Sequence, residues 1–295
     1  GKCRRMRDMC IKFGPAGNSD SFAAAGFKAT ADAPKWLRGL GLAAYEYQCG
    51  RGVNIGDETA AKIGDEARAH GITLSLHTPY YINLSSPEPE RMEKNIGYVL
   101  KSCHAAAAMG AGRLVVHCGG VGKQSRDKAF ANTIENVRAI LAAVDEAGYT
   151  QQTICLETMG KQSVIGSAEE IVQLVALDDR LLPCIDFGHL NARTNGKYNS
   201  YEAFCALFDR MENGIGSERT AHFHSHFSKI EYSAKGEVRH LTFADRVYGP
   251  EFAPLARVLA ERGYAPTVIC ESAGTQAEDA LEMQRLYRKA CEEVG

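Results

Sequence analysis

The chain has 295 residues, of which 45% are hydrophobic and 24% charged, so it can bury the core of a globular protein. Its 34 basic and 36 acidic residues give a net charge of −2, so the overall charge would not attract nucleic acid. Any binding of nucleic acid would have to use a local basic patch. No stretch approaches the roughly 18 apolar residues of a membrane span, and no apolar signal region follows the basic segment 1–7. The 10 cysteines include no Cys-x-x-Cys pair, and we expect them to be reduced thiols of a cytoplasmic protein. We also expect a monomer with no membrane partner.

Strand and helix patterns alternate along the chain. The predicted strands are 9–13, 43–47, 73–77, 114–117, 153–157, 182–186, 221–225 and 267–271. The predicted helices are 34–40, 57–70, 90–109, 127–147, one opened by a capping box at 167–170, 200–211, 250–263 and 276–292. About eight strand–helix units in a chain of this length predict a closed (β/α)8 barrel rather than an open sheet. No linker interrupts the pattern, so we expect residues 1–295 to form one domain.

Six consecutive predicted strands end in histidine or carboxylate side chains. The residues concerned are His77, His117, Glu157, Asp186 with His189, the trio His222, His224 and His226, and Glu271. In a parallel barrel the carboxyl ends of the strands meet at one face. One histidine at a strand end is more often a hydrogen-bonded structural residue than a ligand. Six such strands together predict a metal site, because divalent cations relieve the repulsion among so many carboxylates and imidazoles. Zinc and manganese suit these ligand types.

The segments around these residues resemble endonuclease IV, the zinc-dependent apurinic/apyrimidinic endonuclease family within the xylose-isomerase-like barrels. The resemblance is carried by 77–84, 116–119, 156–158, 184–189, the strand of His224 with Lys229, and 270–272. It runs from about Ile11 to the last predicted helix. It implies two to three zinc ions and cleavage of duplex DNA on the 5′ side of an abasic site.

The resemblance also implies roles for single residues. Glu157 would bridge two zinc ions. One ion would be completed by His77 and His117, and the other by Asp186, His224 and Glu271. The three carboxylates of this set are therefore the candidate catalytic residues: Glu157, Asp186 and Glu271. Paired metal ions fit this chemistry independently, since they generate hydroxide near neutral pH and stabilise charge on both oxygens of an in-line displacement.

The third zinc ion is where the chain departs from the family pattern. His189 and His240 match its ligands, but the family's Asp-x-His reads Val238-Arg239-His240 in this sequence. Valine cannot bind a metal. Glu237 is one residue out of place, and His226 lies two residues after His224, so either could substitute, with His226 slightly favoured.

Candidate substrate residues follow the same strands. Tyr80 matches an aromatic residue that the family places near DNA. Lys229 and Arg239 are candidates for phosphate contacts, and so is Arg51 in the loop after the second strand, although that loop differs from the DNA-inserting loop of the family. For Arg51, an ordinary solvated arginine is an equally good interpretation.

Two alternatives stay open at this point. A sugar or sugar-phosphate isomerase or epimerase could use one or two divalent ions in the same barrel, with Glu157 and Glu271 as ligands or proton-transfer groups. A catalytically silent metal-binding barrel is the second. Fold resemblance cannot separate these from a nuclease, because this barrel hosts several chemistries.

Overall fold

The computed structural model describes residues 11–295, in which eight parallel strands form a barrel. These strands are β1 (Lys12–Pro15), β2 (Ala44–Gln48), β3 (Thr73–His77), β4 (Arg113–Val116), β5 (Thr153–Glu157), β6 (Leu182–Asp186), β7 (His224–Phe227) and β10 (Thr267–Cys270). Their order in the sheet is β1-β10-β7-β6-β5-β4-β3-β2. Hydrogen bonds from the Ala43 amide to the Phe13 carbonyl (3.0 Å) and from the Gly17 amide to the Glu46 carbonyl (3.0 Å) join β2 to β1. The predicted (β/α)8 barrel is confirmed.

Helices surround the barrel, as expected for parallel strands that are buried on both faces. They are α1 (Asp20–Ala24), α2 (Ala33–Leu40), α3 (Asp57–His70), α4 (Pro89–Met109), α5 (Arg126–Glu146), α6 (Ala168–Val175), α7 (Phe187–Arg193), α8 (Tyr201–Ile215), α9 (Ser217–Ala221), α10 (Phe252–Arg262) and α11 (Gln276–Val294). A 3-10 turn spans Thr30–Asp32, and an antiparallel hairpin of β8 (Ile230–Ser233) and β9 (Gly236–His240) follows β7. Among residues 11–295, no helix combines the length and hydrophobicity that crossing a bilayer requires.

Most predicted boundaries agree with the structure to within two residues, because capping residues and glycines mark them. The capping box at Ser167 is present, with reciprocal hydrogen bonds to Glu170. The first strand was predicted from residue 9, which lies outside the described residues. The strand predicted at 221–225 is wrong: α9 occupies its start, and β7 begins only at His224. The short helices and the β8–β9 hairpin were not predicted.

An aromatic cluster fixes the junction between β6 and α7. The buried Phe187, first residue of α7, is surrounded by four phenylalanine rings. Their centroids lie 5.6 to 6.3 Å from its own, and they belong to Phe204, Phe208, Phe223 and Phe227. Because these rings come from α8, β7 and the segment before it, the packing locks the end of β6 against its neighbours.

We predict that Phe187→Ala lowers the free energy of unfolding by about 3–5 kcal/mol, the usual cost of removing a buried aromatic ring. The matched control is Val247→Ala, since the Val247 side chain is 82% exposed. It should change stability by no more than about 0.5 kcal/mol. Chemical denaturation of the metal-free protein measures both. Equal effects of the two substitutions would contradict this account of the junction.

Candidate metal centre

Glu157 lies at the centre of the cluster of strand-end residues. It ends β5 and is buried. Its Oε1 lies 3.2 Å from Nε2 of His77 and 2.9 Å from Nε2 of His117. Its Oε2 lies 3.1 Å from Nδ1 of His226 and 3.2 Å from Nδ1 of His189. Each oxygen of one carboxylate thus faces two imidazoles, the arrangement that a bridging ligand requires.

A second group of ligand atoms shares Glu157. Asp186, His226 and Glu271 each place a nitrogen or oxygen within 4.8 Å of one another and of Glu157. Nδ1 of His226 lies 3.1 Å from Oε1 of Glu271 and 3.7 Å from Oδ2 of Asp186. The other oxygen of Asp186 accepts a hydrogen bond from the His189 amide at 2.8 Å and thereby caps α7. Asp186 therefore has one oxygen committed to structure and one facing the cluster.

A third group consists of His189, Glu237 and His240, whose ligand atoms also lie within 4.8 Å of one another. Nε2 of His189 is 2.9 Å from Oε2 of Glu237. The Glu237 amide donates to the carbonyl of Gly160 at 2.9 Å, which fastens the hairpin to the loop after β5. A Cβ atom at position 160 would lie 2.7 Å from that of Glu237, so only glycine allows this approach.

A β-bulge explains why Glu237, and not Val238, reaches the third group. In the hairpin, Glu231 pairs with Arg239 but the next residue, Tyr232, pairs with Glu237, so Val238 is an extra residue. Its side chain is 54% exposed. A bulge shifts the alternation of side chains by one residue. Glu237 and His240 consequently share a face although they are three residues apart. The structure thus brings Glu237, and not the predicted His226, to His189 and His240, while His226 lies in the second group.

The residues fit divalent cations on two further observations. Oδ2 of Asp186, Oε1 of Glu271 and Oε2 of Glu237 are buried and accept no aligned hydrogen bond from residues 11–295. Their near neighbours are the imidazole nitrogens of His226 and His189, at 2.9 to 3.7 Å. Buried carboxylate oxygens and imidazole nitrogens gathered in this way are ligands that a divalent cation can satisfy.

The second observation is that four candidate ligand histidines have their other ring nitrogen anchored, as is usual for metal-binding imidazoles. The anchors are the Thr78 carbonyl for His77 (2.7 Å), the Thr158 carbonyl for His189 (2.8 Å), the Ser228 hydroxyl for His240 (2.7 Å) and the Glu46 carboxylate for His226 (2.6 Å).

Burial and neighbouring charges shift the pKa values of the buried groups in opposite directions. Burial opposes ionisation of Glu157, but the positive charges of His226 and His117 outweigh it and hold the pKa of this carboxyl well below its usual range. Conversely, the surrounding carboxylates raise the pKa of His226 and His189 well above the usual value despite burial. Burial raises the pKa of Asp186 to about 6. Cations that bind here must displace protons from the histidines, so affinity should increase as the pH rises.

His224 does not lie where the family resemblance implied. It is the first residue of β7 and pairs with Cys184, whereas His226 pairs with Asp186. Because β7 begins three residues later than predicted, His224 lies one strand layer below the carboxyl end. Its Nε2 lies 2.7 Å from Oε1 of Glu46. The structure thus places His226, and not His224, beside Asp186 and Glu271.

The candidate phosphate-binding residues have different surroundings. Lys229 is 3% exposed, and its ammonium group donates to the carbonyls of Phe243 (3.2 Å) and Asp245 (2.6 Å) and lies 3.2 Å from a Glu251 oxygen. It holds the loop between β9 and α10, and the structure does not present it to a substrate. Arg239 is exposed on the hairpin and pairs with Glu231 at 2.7 Å. Arg51 is exposed in the loop after β2.

Tyr80 lies at the mouth of the centre and is 52% exposed. Its ring stacks on that of His117, with centroids 5.6 Å apart and planes 17° apart, and meets the His77 ring edge-on at 5.0 Å. A Cβ atom at Gly50 would lie 2.2 Å from the Tyr80 ring. Gly50 therefore provides the space in which this aromatic ring lies flat beside the candidate ligands.

Glu46 was missed by the sequence analysis. It lies in the middle of β2, is fully buried, and contacts both His224 and His226. A signal was present: a glutamate between two tyrosines in a strand predicted to be buried must find charged partners, because an isolated buried carboxylate is costly.

Comparison with known proteins places this geometry in a family. The profile of the xylose isomerase-like TIM barrel family matches residues 34–290. The chain is 32% identical to an uncharacterised protein of Methanocaldococcus jannaschii over 96% of this chain and 99% of that protein. It is 31% identical to the probable endonuclease 4 of Oceanobacillus iheyensis over 58% of this chain, and the match spans only 57% of that relative's length.

Solved structures share the fold at lower identity. Endonuclease IV from Thermus thermophilus superposes with a TM-score of 0.68 at 20% identity, covering 96% of this chain and 99% of that one. A D-tagatose 3-epimerase-like protein superposes with a TM-score of 0.65 at 19% identity, covering 86% and 90%. The resemblance to endonuclease IV is thus confirmed, and the chain belongs to the xylose isomerase-like TIM barrel family.

Proposed function

We propose that this protein is a metal-dependent phosphodiester hydrolase that cleaves duplex DNA on the 5′ side of abasic sites, with zinc as its ion. The observation that carries this proposal is that candidate ligands adjoin one another around Glu157 and His189. His77 and His117 lie 3.2 and 2.9 Å from Oε1 of Glu157. The group of Glu157, Asp186, His226 and Glu271 and the group of His189, Glu237 and His240 lie beside them. A centre for several ions suits the displacement of a phosphodiester oxygen better than it suits isomerisation of a sugar. The probable endonuclease 4 relatives support the same chemistry.

In this proposal the candidate ligands would form three binding positions. The first would use His77 and His117 with Glu157; the second Glu157, Asp186, His226 and Glu271; the third His189, Glu237 and His240. When bound, the ions would lower the pKa of water and stabilise charge on phosphodiester oxygens. Glu157 fixes the spacing of the first two positions, and the anchored rings of His77 and His189 fix the direction of their ligand atoms.

Tyr80 supports an abasic substrate. It is a half-exposed aromatic ring that stacks on the candidate ligand His117. An aromatic ring in this position can stack in the gap left by a missing base. Arg51 and Arg239, both exposed, are the proposed phosphate contacts.

A second candidate function is a metal-dependent sugar or sugar-phosphate isomerase or epimerase. The second ligand group favours it, because Glu157, Asp186, His226 and Glu271 form a complete four-residue site for one ion without the other groups. The buried position of Lys229 also removes one expected phosphate contact. In this alternative, Glu157 and Glu271 would be ligands or proton-transfer groups, and a small ketose would be the substrate.

We predict that Glu157→Ala loses more than one equivalent of bound metal, because the carboxylate is shared by two groups. His117→Ala should mainly weaken a single ion, because its ring contacts only one oxygen of Glu157. Elemental analysis of the dialysed proteins measures both. Metal content in Glu157→Ala equal to that of the parent would contradict the shared-ligand arrangement.

The bulged hairpin yields a further prediction. Glu237→Gln should weaken the ion of the third group by about 10-fold or more, since the only carboxylate of that group is lost. Val238→Ala is the matched control, because the exposed Val238 side chain points away from the group. Titration with a metal-binding dye measures both affinities. If Val238→Ala weakens the ion and Glu237→Gln does not, the assignment of Glu237 is wrong.

The DNA proposal is tested on a duplex carrying one abasic site, with zinc or manganese supplied. We predict cleavage on its 5′ side and no cleavage of the same duplex with a normal base. Tyr80→Ala should reduce the preference for the abasic duplex by about 10-fold, which corresponds to the roughly 1–3 kcal/mol of one base–aromatic contact. Gly50→Ala should act in the same direction, because its methyl group displaces the Tyr80 ring.

Gly56→Ala is the matched control for the glycine substitution, since a Cβ atom there meets nothing within 4 Å. Absence of cleavage by the metal-loaded parent, together with turnover of a small ketose or its phosphate, would contradict the nuclease proposal and favour the isomerase.

A further inference from the structure

Glu46 connects two strands that are not neighbours in the barrel. It lies on β2, whose strand partner is β3, and its register partner is Ser75. Its carboxylate nevertheless contacts the histidines of β7, from which β2 is separated by β1 and β10. The side chain is fully buried and therefore spans the barrel interior just below the candidate metal centre.

Each contact of Glu46 has a defined direction. Oε1 accepts from the Ser75 hydroxyl at 2.9 Å and lies 2.7 Å from Nε2 of His224. The guanidinium group of Arg113 can only donate, and it lies 3.4 Å from Nδ1 of His224. Nδ1 of His224 is therefore the acceptor, and Nε2 carries the proton that is donated to Glu46. The position of the carboxylate is thus fixed before His226 is considered.

The second oxygen of Glu46 determines the orientation of His226. Oε2 lies 2.6 Å from Nε2 of His226. Because an ionised carboxylate accepts only, this nitrogen must donate, and Nδ1 is the nitrogen that can bind a cation. Nδ1 faces Glu157, Asp186 and Glu271. The anchors of His77, His189 and His240 are carbonyl or hydroxyl oxygens, so among these four candidate ligands only His226 is anchored by a carboxylate.

We propose that Glu46 is a positioning residue that holds His226 with Nδ1 directed at the second ligand group. The inference rests on the metal centre of the proposed function but not on its substrate. A carboxylate behind a metal-binding imidazole fixes the ring and increases its basicity, and loss of such a partner typically costs about 10- to 100-fold in metal affinity.

A different metal site could use the same histidines, one residue layer deeper in the barrel. Cys184, His224 and His226 also have ligand atoms within 4.8 Å of one another. An ion bound there would compete with Glu46 for the imidazoles. The hydrogen bonds favour the first arrangement, because Glu46 already occupies Nε2 of both rings at 2.6 and 2.7 Å. The location of bound metal distinguishes the two.

The test is Glu46→Gln, which keeps the shape of the side chain. The Ser75 hydroxyl can accept as well as donate, so it does not decide the orientation of the new glutamine amide. Arg113 keeps the His224 proton on Nε2, which can only donate. The amide oxygen should therefore face His224 and the NH2 group His226. His226 must then carry its proton on Nδ1 and lose its ligand atom. We expect one equivalent of Zn2+ or Co2+ to bind 10- to 100-fold more weakly, with the remaining equivalents unchanged. Competition with a chromophoric chelator measures the affinities.

The matched control is Ser75→Ala, which removes a hydrogen bond to Glu46 and leaves both imidazole contacts in place. It should change the affinity less than threefold. The Co2+ absorption spectrum separates loss of one site from loss of stability. Unfolding would remove every set of d–d bands, whereas Glu46→Gln should remove one set and Ser75→Ala none. If Glu46→Gln does not fold, Glu46→Asp is measured instead: its shorter carboxylate should lose contact with the imidazole of His226, and the same single equivalent should be weakened.

Three results would overturn the proposal: unchanged affinity in Glu46→Gln, equal weakening of every equivalent, or a crystal structure with an ion between Cys184 and His226. None of these measurements uses DNA. A parent protein that binds metal as described but cleaves no abasic duplex would therefore refute the proposed substrate and leave the role of Glu46 standing.

Discussion

The structure depends on one buried interaction, the contact of the Glu157 carboxylate with four imidazoles. Two of these face each oxygen, and they come from β3, the segment after β4, β7 and α7. A buried carboxylate without partners would cost several kcal/mol, so the elements that carry the histidines must converge on this point. The same convergence brings buried oxygens of Asp186, Glu237 and Glu271 to the imidazole nitrogens of His226 and His189 without aligned hydrogen bonds, an arrangement that suits divalent cations.

The barrel provides this convergence through ordinary local structure. Asp186 caps α7 with one oxygen and turns the other to the cluster, while the Phe187 cluster holds the same junction from behind. A single-residue bulge brings Glu237 to the third group, and Glu46 reaches across the interior to orient His226. The contacts of Asp186, Glu237 and His226 that stabilise the barrel thus also position these candidate ligands.

Much of this was predictable from the sequence, and the exceptions have physical causes. The barrel, and the convergence of His77, His117, Glu157, Asp186 and Glu271, follow from apolar runs that end in ligand residues. The exchange of His224 for His226 could not be predicted, because α9 delays the start of β7 and the two residues share one face of the strand. The bulge at Val238 depends on pairing between β8 and β9, and the buried position of Lys229 depends on carbonyls 14 and 16 residues away. These are non-local contacts that no periodicity encodes.

The most direct test of the central claim is crystallography of the zinc-loaded protein with diffraction data collected on both sides of the zinc absorption edge. The account predicts three anomalous peaks, two of them on opposite oxygens of Glu157 and the third between His189, Glu237 and His240. A single peak within the Glu157, Asp186, His226 and Glu271 group would contradict a three-ion centre and favour the isomerase. Zinc bound away from Glu157 altogether would contradict the whole account of the site.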